Sequence, residues 1–420
     1  MYKLIVGNKH NGDDTFHWCY DEKTGVFLNQ DKETIDILCP DDKYIIVRIT
    51  PGMECNNSCV YCQQEYHRKE TFYGTPSVSY IEKYCQKLYE VLEANFTDLP
   101  DYSINFSFWG GEPLLYFSFI QKCISYLKEV FKGYNTFFSM ITNGILLDDF
   151  ITEYTIENNI NLTLSHDGPG QLRCRNIEIL ENDKTVKNII DLIQSGEHRL
   201  YFAPVFSKYN PSVKLWTQYM RKYIGDAIYF SHIAEYAYMR PLKEDNIELR
   251  CSKNDIENNR NDFITYILNK QDNDIIPFKY FIDNQARRLI KTSLRPTAPD
   301  VNTACLMSKE NVFSIDLKGT VWKCHNYIDY TRYKDNIVGN IFIDTVLNKH
   351  AFFCDNYRRR ECYDCLLNKL CNGGCPMGMT SPADQCYNKY NMLLPAFYNM
   401  VDMVTSGEYQ LLNISRCADE

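Results

Sequence analysis

Three cysteines near the start of the chain have a spacing that suits metal binding. Cys55, Cys59 and Cys62 are separated by three and then two residues within MECNNSCVYCQQE, residues 53–65. Thiolates are soft ligands that bind zinc and iron–sulfur clusters. Because a tetrahedral structural zinc site uses four ligands, three interpretations are open. The trio is a zinc site completed from elsewhere, part of a disulfide framework, or a cluster site with one position left for chemistry.

A longer set of cysteines lies in the C-terminal third. Thirteen residues separate Cys305 from Gly319, and four residues separate Gly319 from Cys324. Four more cysteines follow with two, five and three residues between them, and ten further residues separate these from a last one: Cys362, Cys365, Cys371, Cys375 and Cys386. Cysteine pairs two residues apart are common at zinc sites, so zinc remains an alternative to iron here.

The composition favours a metal-binding or catalytic role for these cysteines. The chain has 420 residues, eighteen of them cysteine, and a formal net charge of −9. This charge speaks against nonspecific binding to nucleic acid or to an anionic membrane. The sequence has no signal-peptide pattern and no membrane-spanning apolar run, so we expect a cytoplasmic protein, in which disulfides are rare. The isolated Cys85, Cys123 and Cys174 are expected to be buried apolar residues.

Strands and helices alternate from residue 43 onwards. The candidate strands are residues 43–50, 103–109, 136–142, 160–166, 199–206 and 227–233. The candidate helices are residues 78–95, with Ser77 as the N-cap, and residues 116–132, 148–158, 184–195 and 212–225. This alternation predicts a parallel sheet with right-handed crossovers, either doubly wound or curled into a barrel.

Residues able to do chemistry follow four consecutive strands of this predicted sheet. The cysteine trio follows the first strand, Gly110-Gly111-Glu112-Pro113 follows the second and Asn143-Gly144 follows the third. The fourth strand runs into Ser165-His166-Asp167-Gly168. A β/α barrel builds its active site from the carboxyl ends of many strands, whereas an open sheet concentrates its site at one switch point. We therefore predict an α/β fold with a partial (β/α)6 TIM-like barrel.

The barrel is the largest of five predicted segments. We expect an N-terminal extension with a small hairpin over residues 1–42, the barrel over 43–233, a connector over 234–300 with helices near 254–270 and 278–292, a cysteine-rich domain over 301–390, and a helical tail over 391–420.

The trio, together with the WGGEP segment after the second strand, resembles the radical S-adenosylmethionine (SAM) superfamily over residues 43 to about 233. In that family three cysteines bind three irons of a [4Fe-4S] cluster, and SAM occupies the fourth iron. The reduced cluster cleaves SAM to a 5′-deoxyadenosyl radical, which abstracts hydrogen from the substrate. The resemblance therefore implies that Cys55, Cys59 and Cys62 bind such a cluster and that SAM is the missing ligand.

The resemblance also implies which residues contact SAM. They are Tyr61, Gly110, Gly111, Glu112, Asn143, Ser165 and Asp167. The tyrosine matches an aromatic position near the adenine. The glycines and glutamate match the segment that holds the methionine amino group, where missing side chains let backbone approach a ligand. The serine and aspartate match a pair that reaches the ribose or the carboxylate.

The C-terminal cysteines resemble the SPASM domain of peptide-modifying radical SAM enzymes, which holds two auxiliary [4Fe-4S] clusters. The implied ligands of one cluster are Cys362, Cys365, Cys371 and Cys386, and those of the other are Cys305, Cys324 and Cys375. The second cluster either has an open iron or is completed by Cys354, Cys251 or a ligand other than thiolate. Gly319 is expected to turn a β-hairpin within VFSIDLKGTVWKC.

The implied function is modification of a peptide or protein by crosslinking or oxidation, with electrons from a flavodoxin- or ferredoxin-type reductant. Two alternatives stay open. One is a SPASM-type enzyme acting on a small molecule or cofactor precursor, and the other is a noncatalytic iron–sulfur or zinc scaffold. The segment before the first barrel strand is too short for the winged-helix domain of many crosslinking maturases, so a leader peptide would need a separate partner or another surface.

His325 is the candidate catalytic base. Sulfatase-maturating relatives carry an aspartate directly after the cysteine of the Gly-x4-Cys spacing, and this chain has His325 there, in WKCHN. A histidine can accept a proton near neutral pH. The exchange of aspartate for histidine nevertheless lowers the support for formylglycine formation.

Overall fold

A computed structural model of the protein describes most of the chain. The described residues are 2–9, 15–21, 26–28, 43–62, 64, 76–196, 199–226, 228, 234–235, 249–269, 272–293, 311–325, 334–348, 362, 365–367, 371, 382–405 and 409–416. The predicted ligands Cys305 and Cys375, and the alternative ligand Cys354, lie outside these residues.

The described elements alternate as the sequence predicts. In chain order the strands are β1 (Tyr2–Asn8), β2 (Thr15–Asp21), β3 (Val26–Leu28), β4 (Tyr44–Thr50), β5 (Ser103–Phe108), β6 (Asn135–Thr142), β7 (Ile160–Leu164), β8 (Leu200–Phe202), β9 (Val205–Phe206), β10 (Ala234–Glu235), β11 (Val312–Asp316), β12 (Thr320–Trp322), β13 (Ile337–Asn340) and β14 (Tyr409–Arg416). The helices are α1 (Val78–Asn95), α2 (Phe117–Val130), α3 (Asp149–Glu157), α4 (Gln171–Arg175), α5 (Asp183–Gln194), α6 (Val213–Ile224), α7 (Lys253–Asn269), α8 (Lys279–Ser293) and α9 (Pro382–Val404).

The centre of the fold is an eight-stranded sheet in the order β13-β12-β11-β4-β5-β6-β7-β8. Strands β11 and β4 to β8 run parallel, with helices in the connections. The predicted partial barrel is confirmed. The predicted N-cap of α1 is also present, since the Ser77 side chain accepts a hydrogen bond from the Tyr80 backbone N–H at 3.2 Å.

The last predicted barrel strands differ from the structure. The strand predicted over 199–206 is interrupted, and β8 and β9 lie on either side of Ala203 and Pro204. Proline has no N–H to donate to a sheet ladder, which accounts for the break. Strand β9 pairs instead with β10 in a separate two-stranded parallel sheet. Most of the strand predicted over 227–233 lies outside the described residues.

The two ends of the chain meet in a second sheet. The expected N-terminal hairpin is present as β1 and β2, and it belongs to a four-stranded antiparallel sheet in the order β14-β1-β2-β3. The predicted helical tail is therefore wrong for residues 409–416, which form β14. Apolar side chains from this sheet, including Leu4, Tyr20 and Leu411, pack with residues of α8 and α9 in a core of their own.

The predicted hairpin around Gly319 continues the main sheet. Strand β12 pairs antiparallel with β11, which itself runs parallel to β4. Gly319 has φ +77°, and an added Cβ would lie 2.5 Å from the Phe342 ring, so glycine fits both the backbone conformation and the space. Of the helices that the structure describes, none has the length and apolar character needed to cross a membrane.

Candidate functional site

The cysteine trio occupies the loop that follows β4. The Cys62 N–H donates to the Cys59 carbonyl at 3.0 Å, and the Val60 N–H donates to the Cys174 carbonyl at 2.9 Å. Burial raises the pKa of the Cys59 thiol to about 11, with further raising contributions from Cys62 and Cys55. The Cys55 and Cys62 thiols therefore lie close enough to Cys59 to interact with it electrostatically.

The glycine pair after β5 packs directly against this loop. An added Cβ on Gly110 would lie 2.2 Å from the Gly52 carbonyl oxygen, and one on Gly111 would lie 2.1 Å from that of Glu54. The Gly111 N–H donates to the Gly52 carbonyl at 3.1 Å. Glycine is thus required here so that the end of β5 can contact the backbone that carries the cysteines.

Glu112 joins the ends of β5 and β6. The residue is 1% exposed, and its carboxylate accepts from the Leu114 N–H at 3.0 Å, the Thr142 hydroxyl at 2.7 Å and the Asn143 N–H at 2.8 Å. Burial raises the pKa of this carboxyl group, although the three donors act in the opposite direction. Its own N–H donates to the Glu54 carbonyl at 2.8 Å. The carboxylate thus fixes the backbone on which the site is built.

Asn143, at the end of β6, reaches the first cysteine. Its side-chain Nδ2 lies 3.8 Å from the Cys55 Sγ and donates to the Asn56 Oδ1 at 2.8 Å. Its Oδ1 accepts from the Ile145 N–H at 3.0 Å. These bonds orient the amide so that its N–H groups face the cysteine loop.

Arg175, in α4, reaches the second cysteine, and sequence reasoning missed it. The side chain is buried, with Nη1 3.9 Å from the Cys59 Sγ and the guanidinium 5.3 Å from the Tyr61 ring centroid. Its Nε lies 3.0 Å from the Asp167 Oδ2, as an ion pair rather than an aligned hydrogen bond. Burial lowers the pKa of Arg175, but Asp167 and the other neighbours raise it overall, so the guanidinium stays charged.

Two of the predicted SAM-binding residues contact each other. The Tyr61 hydroxyl donates to the Asp167 Oδ2, and the Asp167 Oδ1 accepts from the Val205 N–H at 2.9 Å. Both residues are buried. Ser165 is half-buried, and its N–H donates to the Thr142 carbonyl at 2.9 Å. His166 is turned away into a buried contact with Glu178 at 2.8 Å, so it is a structural residue.

The chemistry of these donors fits an iron–sulfur cluster. The Cys55 and Cys62 thiols lie within electrostatic range of the Cys59 thiol, and N–H groups face two of the sulfur atoms. Hydrogen bonds to the sulfurs are one of the means by which proteins set the properties of such clusters. Across the described part of the chain, no three His, Cys, Asp or Glu side chains are arranged around a single metal ion. A four-iron cluster binds each thiolate at a different iron, so its ligands stand further apart than those of one ion.

Comparison with known proteins identifies this region. Residues 49–211 match the model of the radical SAM superfamily. The chain contains a radical SAM domain. The matched segment runs from the end of β4 through β9 and includes the cysteine trio, Glu112, Asn143, Asp167 and Arg175.

Curated relatives and solved structures extend the likeness beyond this domain. The radical SAM cyclopropyl synthase TigE of Paramaledivibacter caminithermalis is 20% identical over 195 residues, which are 43% of this chain and 39% of that protein. In two further relatives the match also covers only 39% and 42% of the relative. The serine-type anaerobic sulfatase-maturating enzyme of Bacteroides thetaiotaomicron is 22% identical over 86% of this chain and 89% of that protein. The structure of anSMEcpe with bound AdoMet and Kp18Cys peptide covers 86% of this chain and 99% of its own, with TM-score 0.64 and 18% identity, and it shares the fold.

The inner face of the radical SAM domain is polar. Along β4, Ile45, Val47 and Ile49 are buried in the core that the helices cover, whereas Arg48 between them is half-buried on the opposite face. The residues beside Arg48 across the sheet form one row: Ser314, Arg48, Ser107, Ser139 and Asn161. Parallel sheets are usually apolar and covered on both faces. A row of hydroxyl, amide and guanidinium groups therefore distinguishes this face from the apolar face that the helices cover.

His325 lies beside this row. Its ring accepts a hydrogen bond from the Arg48 guanidinium, and the Trp109 ring packs edge-on against it with 4.7 Å between centroids. Trp109 directly precedes Gly110, so the predicted base lies near the mouth of the radical SAM domain. Its role as a base remains a prediction.

Cys324, a predicted ligand just before His325, is held by a side chain from another segment. The Asn336 Oδ1 accepts from the Cys324 N–H at 2.8 Å, and the Asn336 Nδ2 donates to the Cys324 carbonyl at 3.2 Å. Both residues are buried. The Asn336 side-chain amide therefore pairs with both the N–H and the carbonyl of Cys324, as the backbone of a neighbouring strand would.

The predicted ligands of the other auxiliary cluster lie near each other. Burial raises the pKa of the Cys365 thiol to about 11, and Cys371, Cys386 and Cys362 each add to the increase. The Cys365 N–H donates to the Cys362 carbonyl at 3.3 Å, and the Cys371 N–H donates to the Leu367 carbonyl at 2.8 Å. Cys386 is exposed on α9. The other three thiols thus lie within electrostatic range of Cys365, and Cys365 and Cys371 pack against the core formed by the two chain ends.

Proposed function

We propose that the protein is a radical SAM enzyme that abstracts hydrogen from a peptide or protein substrate and thereby installs a crosslink or an oxidation. One observation carries the proposal. The segments that follow β5 and β6 and the end of α4 converge on the cysteine loop, and two of them, through Asn143 and Arg175, direct N–H groups at Cys55 and Cys59. This arrangement suits a cluster held at three irons, with the fourth left for SAM.

When bound, the cluster and SAM would supply the reductive cleavage that yields the 5′-deoxyadenosyl radical. The chain's own residues build the place where this happens. The glycine pair brings β5 against the cysteine loop, and Glu112 fixes the backbone between β5 and β6. We propose that Tyr61, Asn143, Ser165 and Asp167 border the bound SAM. Tyr61 lies in the cysteine loop, Asn143 and Asp167 contact residues of that loop, and Ser165 lies two residues before Asp167.

The chemistry of the inner face and the likeness to peptide-modifying relatives support a peptide substrate. The row from Ser314 to Asn161 offers hydroxyl and amide groups that can bind backbone N–H and carbonyl groups. A relative named as a sulfatase-maturating enzyme matches this chain over most of the length of both proteins. The solved structure of anSMEcpe that is similar in fold has a peptide bound to it. Both observations support a peptide over a small molecule.

We propose further that the C-terminal cysteines bind auxiliary clusters. Cys362, Cys365, Cys371 and Cys386 would hold one of them, which the mutual effect of their thiols on the pKa of Cys365 supports. Cys324 would belong to the other, with Cys305 and Cys375. Such clusters could relay electrons, which a flavodoxin or ferredoxin would deliver.

Anaerobic reconstitution with iron and sulfide tests the enzymatic part of the proposal. Reduced with dithionite in the presence of SAM, the wild-type protein should release 5′-deoxyadenosine, and a Cys59→Ala variant should release none. Release at the same rate from both proteins, or from neither, would contradict the proposal.

The substrate class needs its own test. The reconstituted enzyme is incubated with SAM and with small peptides encoded beside its gene, and the products are analysed by mass spectrometry. A crosslink or an oxidation predicts the loss of two hydrogens from a peptide. If 5′-deoxyadenosine is released but only small-molecule precursors change mass, the substrate assignment is wrong.

A further inference from the structure

Two side chains from different segments direct N–H groups at the sulfur atoms of the cysteine trio. Arg175 Nη1 lies 3.9 Å from the Cys59 Sγ, and Asn143 Nδ2 lies 3.8 Å from the Cys55 Sγ. Both distances are within the range of hydrogen bonds to sulfur. In a cluster-bound protein these sulfur atoms would be thiolates, which accept hydrogen bonds more strongly than thiols.

The position of Arg175 is fixed from three sides. Its guanidinium faces the Tyr61 ring, pairs with the Asp167 carboxylate and touches the Cys59 sulfur, and the residue is only 7% exposed. A charge that is shielded from water acts strongly on its neighbours, because the surrounding medium screens it little. Arg175 thus places a positive charge beside one corner of the proposed cluster.

Asn143 is fixed by a different set of bonds. Its backbone N–H donates to Glu112, its Oδ1 accepts from the Ile145 N–H, and its Nδ2 also donates to Asn56. None of these bonds involves a residue of the polar row on the inner face. The side chain is therefore held in place for its contact with Cys55.

Both contacts shift the equilibrium between the oxidised and the reduced cluster in the same direction. Reduction adds one negative charge to the cluster. Nearby positive charge and N–H groups directed at the sulfur atoms stabilise the reduced form, so they raise the reduction potential. This effect does not depend on which substrate the enzyme modifies.

We infer that Arg175 and Asn143 are positioning residues that set the reduction potential of the cluster on Cys55, Cys59 and Cys62. The inference rests on the proposed function only in requiring that a cluster forms there. It assigns a role to Arg175, which the sequence motifs do not indicate, and a role to Asn143 other than contact with SAM. The consequence for the enzyme is easier reduction by a protein donor.

A redox titration followed by electron paramagnetic resonance (EPR) tests the inference. The signal to follow is the one that is absent from the Cys59→Ala variant, because that signal belongs to the trio. Arg175→Gln removes the charge but keeps a polar side chain of similar reach. At the potential where half of the wild-type clusters are reduced, the reduced-to-oxidised ratio in this variant should fall at least tenfold, a shift of about 59 mV for a one-electron couple.

Asn143→Asp is the second test variant. It keeps the oxygen that accepts from the Ile145 N–H, but replaces the N–H donors with a negative charge near Cys55. The potential should again fall. The signal arises only from molecules that carry the cluster, so a variant with less iron still gives a valid potential.

Two controls separate this role from a purely structural one. Arg175→Lys retains the charge and should keep the potential closer to the wild-type value than Arg175→Gln does. Arg173→Gln changes an exposed arginine two residues away, whose guanidinium lies 5.7 Å from the Tyr209 ring centroid, and should leave the potential unchanged.

The outcomes distinguish the inference from the proposed function. If the wild-type protein has no signal that depends on Cys59, the proposed function fails. If the signal is present and Arg175→Gln and Asn143→Asp titrate at the wild-type potential, only the inference is overturned. A fall of the potential in Arg173→Gln as large as in Arg175→Gln would also overturn it.

Discussion

At the scale of single residues, Glu112 shows how one buried carboxylate can hold together the backbone of a site. The family resemblance implies that it belongs to the segment that holds the methionine amino group. In the structure its carboxylate accepts hydrogen bonds from Leu114, in the segment after β5, and from Thr142 and Asn143 at the end of β6. We predict that Glu112→Gln lowers the free energy of unfolding by about 1–3 kcal/mol, because the new amide N–H₂ would face a buried N–H donor. Urea unfolding measures the change.

The matched control is Glu153→Gln, an exposed position on α3. Its free energy of unfolding should stay within about 0.5 kcal/mol of wild type. Equal stability of Glu112→Gln and wild type would show that the buried carboxylate does not hold the two strand ends.

The cysteine trio and Arg175 differ in how far the sequence reveals them. The spacing of Cys55, Cys59 and Cys62 can be recognised because all three lie in one short loop. Arg175 reaches Cys59 across 116 positions of the chain, and no local pattern records such a contact. A basic residue in the segment after the Asp-Gly turn was the only available signal.

At the scale of elements, the end of β5 depends on its close contact with the cysteine loop. We predict that Gly111→Ala prevents formation of the cluster on the trio, because an added Cβ would lie 2.1 Å from the Glu54 carbonyl oxygen and 2.4 Å from that of Met53. Backbone atoms cannot move aside as a flexible side chain can. Iron analysis after reconstitution should show a loss of about four irons per chain, one cluster.

Gly196→Ala is the control for this substitution, because an added Cβ there has no atom within 4 Å. It should bind as much iron as wild type. If Gly111→Ala also retains all of its iron, the packing of β5 against the loop does not matter for the site.

The elements themselves were largely predictable. Helix α1 has the predicted bounds and N-cap, because its apolar period and its capping serine are both local signals. The break at Pro204 could also have been predicted from the sequence, because proline lacks the N–H that a central strand needs. Strand β14 was not, because its partner β1 lies at the other end of the chain, and a short apolar run fits a helix or a strand equally well.

At the scale of the whole molecule, the two chain ends stabilise the region that carries the auxiliary cysteines. Leu411 of β14 is buried in the same core as residues of β1 and α9, with Cys365 and Cys371 packed against it. We predict that Leu411→Ala lowers the free energy of unfolding by about 2–5 kcal/mol. Denaturant unfolding monitored by circular dichroism measures the loss.

The neighbouring Leu412 provides the control, because it is exposed on the other face of β14. Leu412→Ala should change the free energy of unfolding by no more than about 0.5 kcal/mol. A similar loss in both variants would show that β14 is not held by its buried face.

The account depends most on a cluster that is bound at three irons and open at the fourth. EPR spectroscopy of the reconstituted, dithionite-reduced protein, with and without SAM, tests this directly. We predict a [4Fe-4S] signal that changes when SAM is added, and its loss in Cys59→Ala. A wild-type spectrum without such a signal, or one that SAM leaves unchanged, would contradict the assignment.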